Sequence, residues 1–235
     1  ALFSLQFLFN KKFEEENGSS LSSSMLFSFL SSLAGLVILF VINGFRVSFS
    51  PFSLLWAAAY AVDGILFTVA SVKAFSTVNL SAYSIFSMLG GMLLPSVYGI
   101  IFCNEQLTLF KALCFVLIAV SVAFTVDFKS RGKGLFYYIA VFVLNGLVGI
   151  ISVIHQADTL RAVDSFSFLF LARAVSAAIS AGFVIKGTKT TKKSVIYSGG
   201  FAAFSTIGNL LILLSLKHLP ASVQYPVITG GTVVI

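Results

Sequence analysis

Long apolar runs separated by short polar breaks divide the chain, and the runs set its organisation. They cover about Ala1 to Asn10, Leu21 to Gly44, Pro51 to Val72, Ser81 to Phe102, Thr108 to Val126, Leu135 to Ile154, Phe166 to Ile185, Val195 to Leu216 and Pro220 to Ile235. A helix rises about 1.5 Å per residue, so the complete runs are long enough to cross a bilayer core of about 30 Å. The fourth run carries Gly90, Gly91, Pro95 and Gly99, which destabilise a water-exposed helix. Its Ser87, Gly91 and Pro95 fall at i, i+4 and i+8, giving one face on which another backbone can approach closely. Ser222, Pro226 and Gly230 repeat that spacing in the ninth run, as do Ala172, Ser176 and Ser180 in the seventh. The second run carries a comparable stripe of Ser24, Ser28, Ser31, Ser32 and Gly35. Pro51 is placed to start the third helix. The first and last runs read as pieces of helices, so about nine segments, two of them partial, are expected of ten.

Composition fixes the solvent. Of 235 residues, 58% are hydrophobic and only 10% charged, and the mean hydropathy is +1.02. A soluble domain carries about a quarter charged residues. An all-α, polytopic integral membrane protein, expected in the plasma membrane, fits these values instead. The net charge of +7 would suggest nucleic acid for a soluble protein. Here the cations cluster in short connections, where headgroups and orientation account for them, so no nucleic-acid partner is expected. Odd-numbered connections hold Lys11, Lys12, Lys73, Lys129, Arg131, Lys133, Lys186, Lys189, Lys192 and Lys193, against Arg46, Lys111, Arg161 and Lys217 in the even ones. The positive-inside rule therefore places the odd connections in the cytoplasm. Cys103 and Cys114 lie in apolar context with no ligand-like spacing and read as packing residues.

Two segments share a pattern: Gly64-x-Leu66-x4-Ser71-x-Lys73 and Gly208-x-Leu210-x4-Ser215-x-Lys217, at one offset of 144 residues. A turn and a helix with a Gly-Gly pair follow each, Gly90-Gly91 and Gly230-Gly231. The intervals after Lys73 and Lys217 differ by about one helical turn, leaving the register of the fourth segment against the ninth open. Segments three and eight are five apart, so they cross in opposite senses. That predicts an inverted five-plus-five repeat, with halves at 1–128 and 134–235 and the boundary in Asp127–Gly134.

Gly90-Gly91-Met-Leu-Leu-Pro95, continued by Tyr98-Gly99-x4-Asn104-Glu105-Gln106-Leu107, resembles the fourth-helix signature of the drug/metabolite transporter superfamily, in its EamA-like branch. Leu219-Pro220-Ala-Ser222-Val-Gln224-Tyr225-Pro226, with Gly230-Gly231, resembles the start of that family's ninth helix. Arg173 followed by small residues resembles its seventh-helix pattern, although segment two lacks a matching Arg. The resemblance implies a ten-helix carrier with a cavity lined by helices three, four, eight and nine, with one and six, and substrates ranging over metabolites, nucleosides, amino acids and drugs. It also implies cytoplasmic termini, opposite to the positive-inside count.

Asp63 lies near the middle of segment three, where a charged carboxylate is costly unless protonated, paired or facing water. It could couple proton movement to a substrate, or hydrogen-bond a neighbouring helix beside Gly64; both readings stand. Tyr60, Asp63, Tyr83, Asn209, Gln224 and Tyr225 are the candidate cavity residues. Gly64, Ser87, Gly90, Gly91, Pro95, Gly208, Pro226, Gly230 and Gly231 are expected to shape helix packing and its rearrangement. Glu105 is expected to order the turn between helices four and five, and Arg173 to snorkel from a peripheral helix. No HExxH, paired intramembrane carboxylates or His/Cys cluster points to a membrane enzyme, metal or cofactor. The leading expectation is a secondary transporter of small organic metabolites or drugs, working by alternating access and coupled to protons or a counter-substrate. A carrier of nucleotide-sugar or lipid-linked substrates, a membrane enzyme and a receptor-like bundle are the alternatives. The substrate, its coupling and the oligomeric state are not specified by the sequence.

Overall fold

A computed structural model describes residues 2–75, 80–125, 133–184 and 190–233 of the chain. Among these, the secondary structure is helical throughout: α1 (Leu2–Asn17), α2 (Leu21–Ile42), α3 (Pro51–Phe75), α4 (Leu80–Phe102), α5 (Leu109–Thr125), α6 (Lys133–Ala157), α7 (Ser165–Val184), α8 (Lys192–Ser215) and α9 (Ala221–Val233). Six helices, α2, α3, α4, α6, α7 and α8, are long and apolar enough to span a membrane, the signature of a multi-pass integral membrane protein. The expected boundary between halves falls largely on residues 126–132, outside the described residues, and α6 already begins at Lys133.

Many small and polar residues turn inward and many large apolar residues outward, although Phe13, Phe27, Leu39 and Phe168 are also buried. Along α3, Leu55, Val62 and Leu66 are exposed while Ser53, Ala57 and Ser71 are fully buried. Exposed leucine and valine beside buried serine depart from the preference of a soluble core. Lipid solvates leucine as well as a protein interior does, so close backbone approach and hydrogen bonds drive association. The α2 stripe behaves this way: Ser180 Oγ donates to Ser28 Oγ at 3.0 Å across α2 and α7. Side by side, α1 packs on α8, α3 on α6, α2 on both α7 and α8, α3 on α7, and α4 on both α6 and α9.

Where the residue preceding a helix is described, the helix starts are locally encoded, with one exception. Ser20, Ser50, Thr108, Asp164 and Thr191 each accept from the backbone N–H three residues on, as N-cap residues do. The exception is α9, preceded by Pro220, which has no side-chain acceptor to offer.

One boundary differs from expectation. The charged stretch Lys11–Glu16 continues α1 as helix to Asn17. Lys11 Nζ lies 4.0 Å from Glu14 and 3.8 Å from Glu15, pairs that favour the helix. Burial pushes the Glu14 carboxyl above its usual range despite Lys11. The helix ends at Gly18, whose φ of +75° only glycine adopts without strain.

Cross-links sort the connections into two ends. At one, Ser48 N donates to Ser167 Oγ (2.8 Å) and Ser50 Oγ to the Arg161 carbonyl (2.7 Å), joining the 43–50 and 158–164 connections. Arg161 also pairs with Asp158, holding that carboxyl below its usual range. At the other, Lys193 Nζ bonds Glu16 Oε2 (3.0 Å) and Ser194 Oγ bonds Asn17 Oδ1 (2.8 Å).

Candidate functional site

The fourth-helix glycines pack onto α6. A Cβ added at Gly90 would overlap the Phe142 carbonyl, and one at Gly91 would sit 2.6 Å from Asn145 Nδ2. In return, a Cβ at Gly149 would lie 2.7 Å from the Pro95 ring, and one at Gly146 would overlap the Leu94 side chain. The two helices therefore mesh through small residues on both sides. Asn145 donates from Nδ2 to the Ser87 carbonyl at 2.7 Å, which satisfies an amide deep in an apolar segment. Pro95 remains inside α4 without ending it, as prolines in membrane helices do where neighbours re-satisfy the backbone. Pro226 likewise lies within α9. Gly230 and Gly231 belong to α9, but their packing is outside the described residues.

Beside this seam lies a cavity of about 160 Å³, with lining residues from α1, α2, α3, α4, α6, α7, α8 and α9. Of the sequence candidates, Tyr60, Asn209 and Tyr225 line it. Tyr225 donates its hydroxyl to the Gly149 carbonyl at 3.2 Å, tying α9 to α6. Asn209 donates from Nδ2 back to the Ser205 carbonyl at 2.9 Å, leaving its amide oxygen toward other partners. Gly64 also lines the cavity, and an added Cβ there meets nothing within 4 Å, so it widens the space and is not a tight packing contact. Gly208 packs instead: its Cβ position is 3.0 Å from the Phe3 ring of α1.

The other candidates stand outside the cavity wall. Tyr83 is fully buried, meets Phe7 edge-on at 5.5 Å and shares a 2.6 Å hydrogen bond with Ser71 Oγ, so it ties α4 to α3 and α1. Gln224 donates to the Ile212 carbonyl at 2.7 Å, and its Oε1 is buried with no hydrogen-bond partner among the described residues. Asp63 is buried beside Gly64, with Oδ2 lacking a hydrogen-bond partner among the described residues. No ion pair joins it to Arg173 among the described residues.

Two charged residues take positions that differ from their sequence reading. Arg173 does not reach for headgroups. It lines the cavity, and its Nη2 donates to Ser205 Oγ (2.9 Å) and Thr206 Oγ1 (3.3 Å) of α8. Gly35 of the α2 stripe makes room for it: a Cβ there would lie 3.1 Å from Arg173 Nε. The stripe thus has a second consequence, invisible in its spacing, of admitting a guanidinium between α2, α7 and α8.

Glu105 does more than order its own turn. Asn104 adopts φ +54°, the left-handed conformation that commonly ends a helix, and Glu105 N returns to the Gly99 carbonyl at 3.2 Å. The carboxylate rests against Gly99, whose Cβ would be 2.7 Å from Oε1. From there its two oxygens accept from Ala221 N and Ser222 N, both at 2.8 Å. These are the first N–H groups of α9, where the helix dipole favours an anion. Glu105 supplies the cap that Pro220 cannot.

Sequence reading missed Gln6, Ser31, Ser32 and Asn145 as cavity-lining residues. Gln6 Oε1 is buried with no hydrogen-bond partner among the described residues. A lone amide in the short first run was the available signal, but spacing along one helix does not report which neighbours enclose it.

No known family model matches the chain, and no curated protein matches it.

Proposed function

We propose that the protein is a secondary transporter of small organic solutes in the plasma membrane, working by alternating access between α1–α5 and α6–α9. The observation that carries this reading is the cavity, whose wall draws on helices from both halves and which lies beside a seam of small residues. Carrier sites lie at such repeat interfaces. The packing pairs support an inverted repeat. Exchanging each of α1–α4 with the helix five positions later turns α1–α8 into α6–α3 and α2–α8 into α7–α3, and maps α2–α7 and α4–α9 onto themselves, whereas the extensive α4–α6 seam maps onto the much smaller α1–α9 contact. This agrees with the paired patterns at Gly64 and Gly208 and with the resemblance to the drug/metabolite transporters. A nucleotide-sugar carrier needs several cations around its diphosphate. Among the described lining residues Arg173 is the single one.

Purified protein in proteoliposomes should catalyse counterflow of at least one class of small solute; no flux for any class would overturn the reading. In the same vesicles Asp63→Asn tests proton coupling. Uptake driven by a pH gradient should be abolished while counterflow persists, and unchanged gradient-driven uptake would remove Asp63 from the mechanism.

Cys103 reports which way the protein faces. It is exposed in the connection after α4, at the end of the molecule with the fewer cations. The positive-inside rule puts that end outside. In a Cys114→Ser background, an impermeant maleimide should label Cys103 in intact cells; labelling only after permeabilisation would establish the opposite orientation. Burial and, after it, the Glu105 carboxylate push the Cys103 thiol up. The thiolate is the reactive form, so labelling should keep accelerating above the usual thiol range of about 8–9.

A further inference from the structure

The charge in the cavity wall selects among solutes. Arg173 keeps a planar guanidinium with five N–H donors. Nη2 is engaged by Ser205 and Thr206, but the Nε and Nη1 donors have no acceptor among the described residues. Neither hydroxyl carries charge. The ion pairs among the described residues sit near helix ends, at Lys11, Arg161 and Lys193, and none reaches Arg173. A part-buried cation without a counter-charge is unfavourable, and an anion arriving in the cavity would relieve that cost.

The rest of the wall limits what that anion can be. Phe7, Tyr60, Phe67, Leu169 and Phe201 line the same cavity. These surfaces suit an apolar or aromatic body, while the neutral polar groups of the wall, Ser31, Ser32, Asn145 and Asn209 among them, can hydrogen-bond a polar substituent but cannot balance a second negative charge. With Arg173 as the single cation of the described wall, a dianion would carry one charge in uncompensated. No carboxylate is among the described lining residues, so the ammonium group of an amino acid would meet only neutral oxygens there and gain no charge pair.

We infer that the cavity takes organic monocarboxylates, the carboxylate meeting the free donors of Arg173 and an apolar or aromatic body lying against Phe67, Phe201 and Tyr60. The inference rests on the transport reading for its biological sense, but the binding it predicts can be measured apart from flux. Thr206 Oγ1, while accepting from Arg173, keeps its own proton to donate to the bound carboxylate.

Equilibrium dialysis of the purified protein with radiolabelled benzoate at neutral pH is the test, with benzamide as the neutral isostere and inorganic phosphate as competitor. Benzoate should bind saturably and benzamide at least about tenfold more weakly, since the neutral amide cannot make the charge-assisted hydrogen bonds of a carboxylate. Arg173→Met should lower benzoate affinity by a similar factor, and Arg173→Lys should restore most of it with the fork geometry lost. Should the Met variant fail to fold, the benzoate–benzamide ratio in the unaltered protein and the Lys variant still decide. Absence of saturable benzoate binding, equal binding of benzamide, or full benzoate affinity in a folded Arg173→Met protein overturns the inference. Phosphate binding more tightly than benzoate also overturns it, in favour of a phosphorylated ligand or a lipid headgroup. Counterflow of neutral solutes without carboxylate binding refutes the anion assignment and leaves transport standing. Benzoate binding with no flux of any solute does the reverse.

Discussion

Gly90→Ala should destabilise the protein by about 3 kcal/mol or more, the upper part of the range for overpacking a tight interior. The added methyl would overlap the Phe142 carbonyl, which is backbone and cannot rotate aside. Relief requires α4 and α6 to separate, and that would loosen the Asn145–Ser87 hydrogen bond one turn away. Gly91→Ala should cost less, because its methyl meets the Asn145 amide, a side chain able to swing at the expense of the same bond. Gly182→Ala should change stability by no more than about 1 kcal/mol, since nothing lies within 4 Å of its Cβ position and alanine favours the helix. Unfolding of the three variants in mixed detergent micelles gives the comparison. Equal stabilities at 90 and 182 would refute the close α4–α6 approach.

Glu105→Ala should release the start of α9. It removes two charge-assisted hydrogen bonds at 2.8 Å and an anion at the positive end of a helix. The carboxylate is partly exposed, so we expect about 2–3 kcal/mol, at or just below the roughly 3–6 kcal/mol that two such bonds contribute. Glu105→Gln keeps one acceptor and should cost roughly half. Amide hydrogen exchange at Ala221 and Ser222 is the direct measurement. Each 1.4 kcal/mol corresponds to about tenfold faster opening, so the alanine variant should exchange on the order of 30–100-fold faster there, and the N-terminal amides of α2, capped by Ser20, should not change. Uniform acceleration at both helices would mean global destabilisation and would refute a local cap.

The apolar runs and the local caps determined most of the helical outline. In a bilayer every backbone polar group must be satisfied inside the protein, and a continuous apolar run of about 20 residues does so as a helix. Ser20, Ser50, Thr108, Asp164 and Thr191 act on residues three positions away, within reach of local pattern. Lys11–Glu16 has the charge of a connection yet is helical, because the pairs of Lys11 with Glu14 and Glu15 support the helix and depend on spacing, not on apolar character. The small-residue faces were legible as faces; their partners were not, because spacing along one helix says nothing about the helix opposite.

The tertiary structure decided which residues meet. Gly90 and Gly91 pack on α6 although α9 carries the matching sequence pattern. Tyr83 spends its hydroxyl on Ser71, while Tyr60, Asn209 and Tyr225 line the cavity. Arg173 and Glu105 show the division most clearly. A charge in an apolar context is visible in any sequence, and its cost in a membrane is general. Whether that cost is met by headgroups, by Ser205 and Thr206 of another helix, or by the bare N-terminus of α9 depends on contacts across more than thirty to more than a hundred residues of chain. Only packing in three dimensions sets those distances.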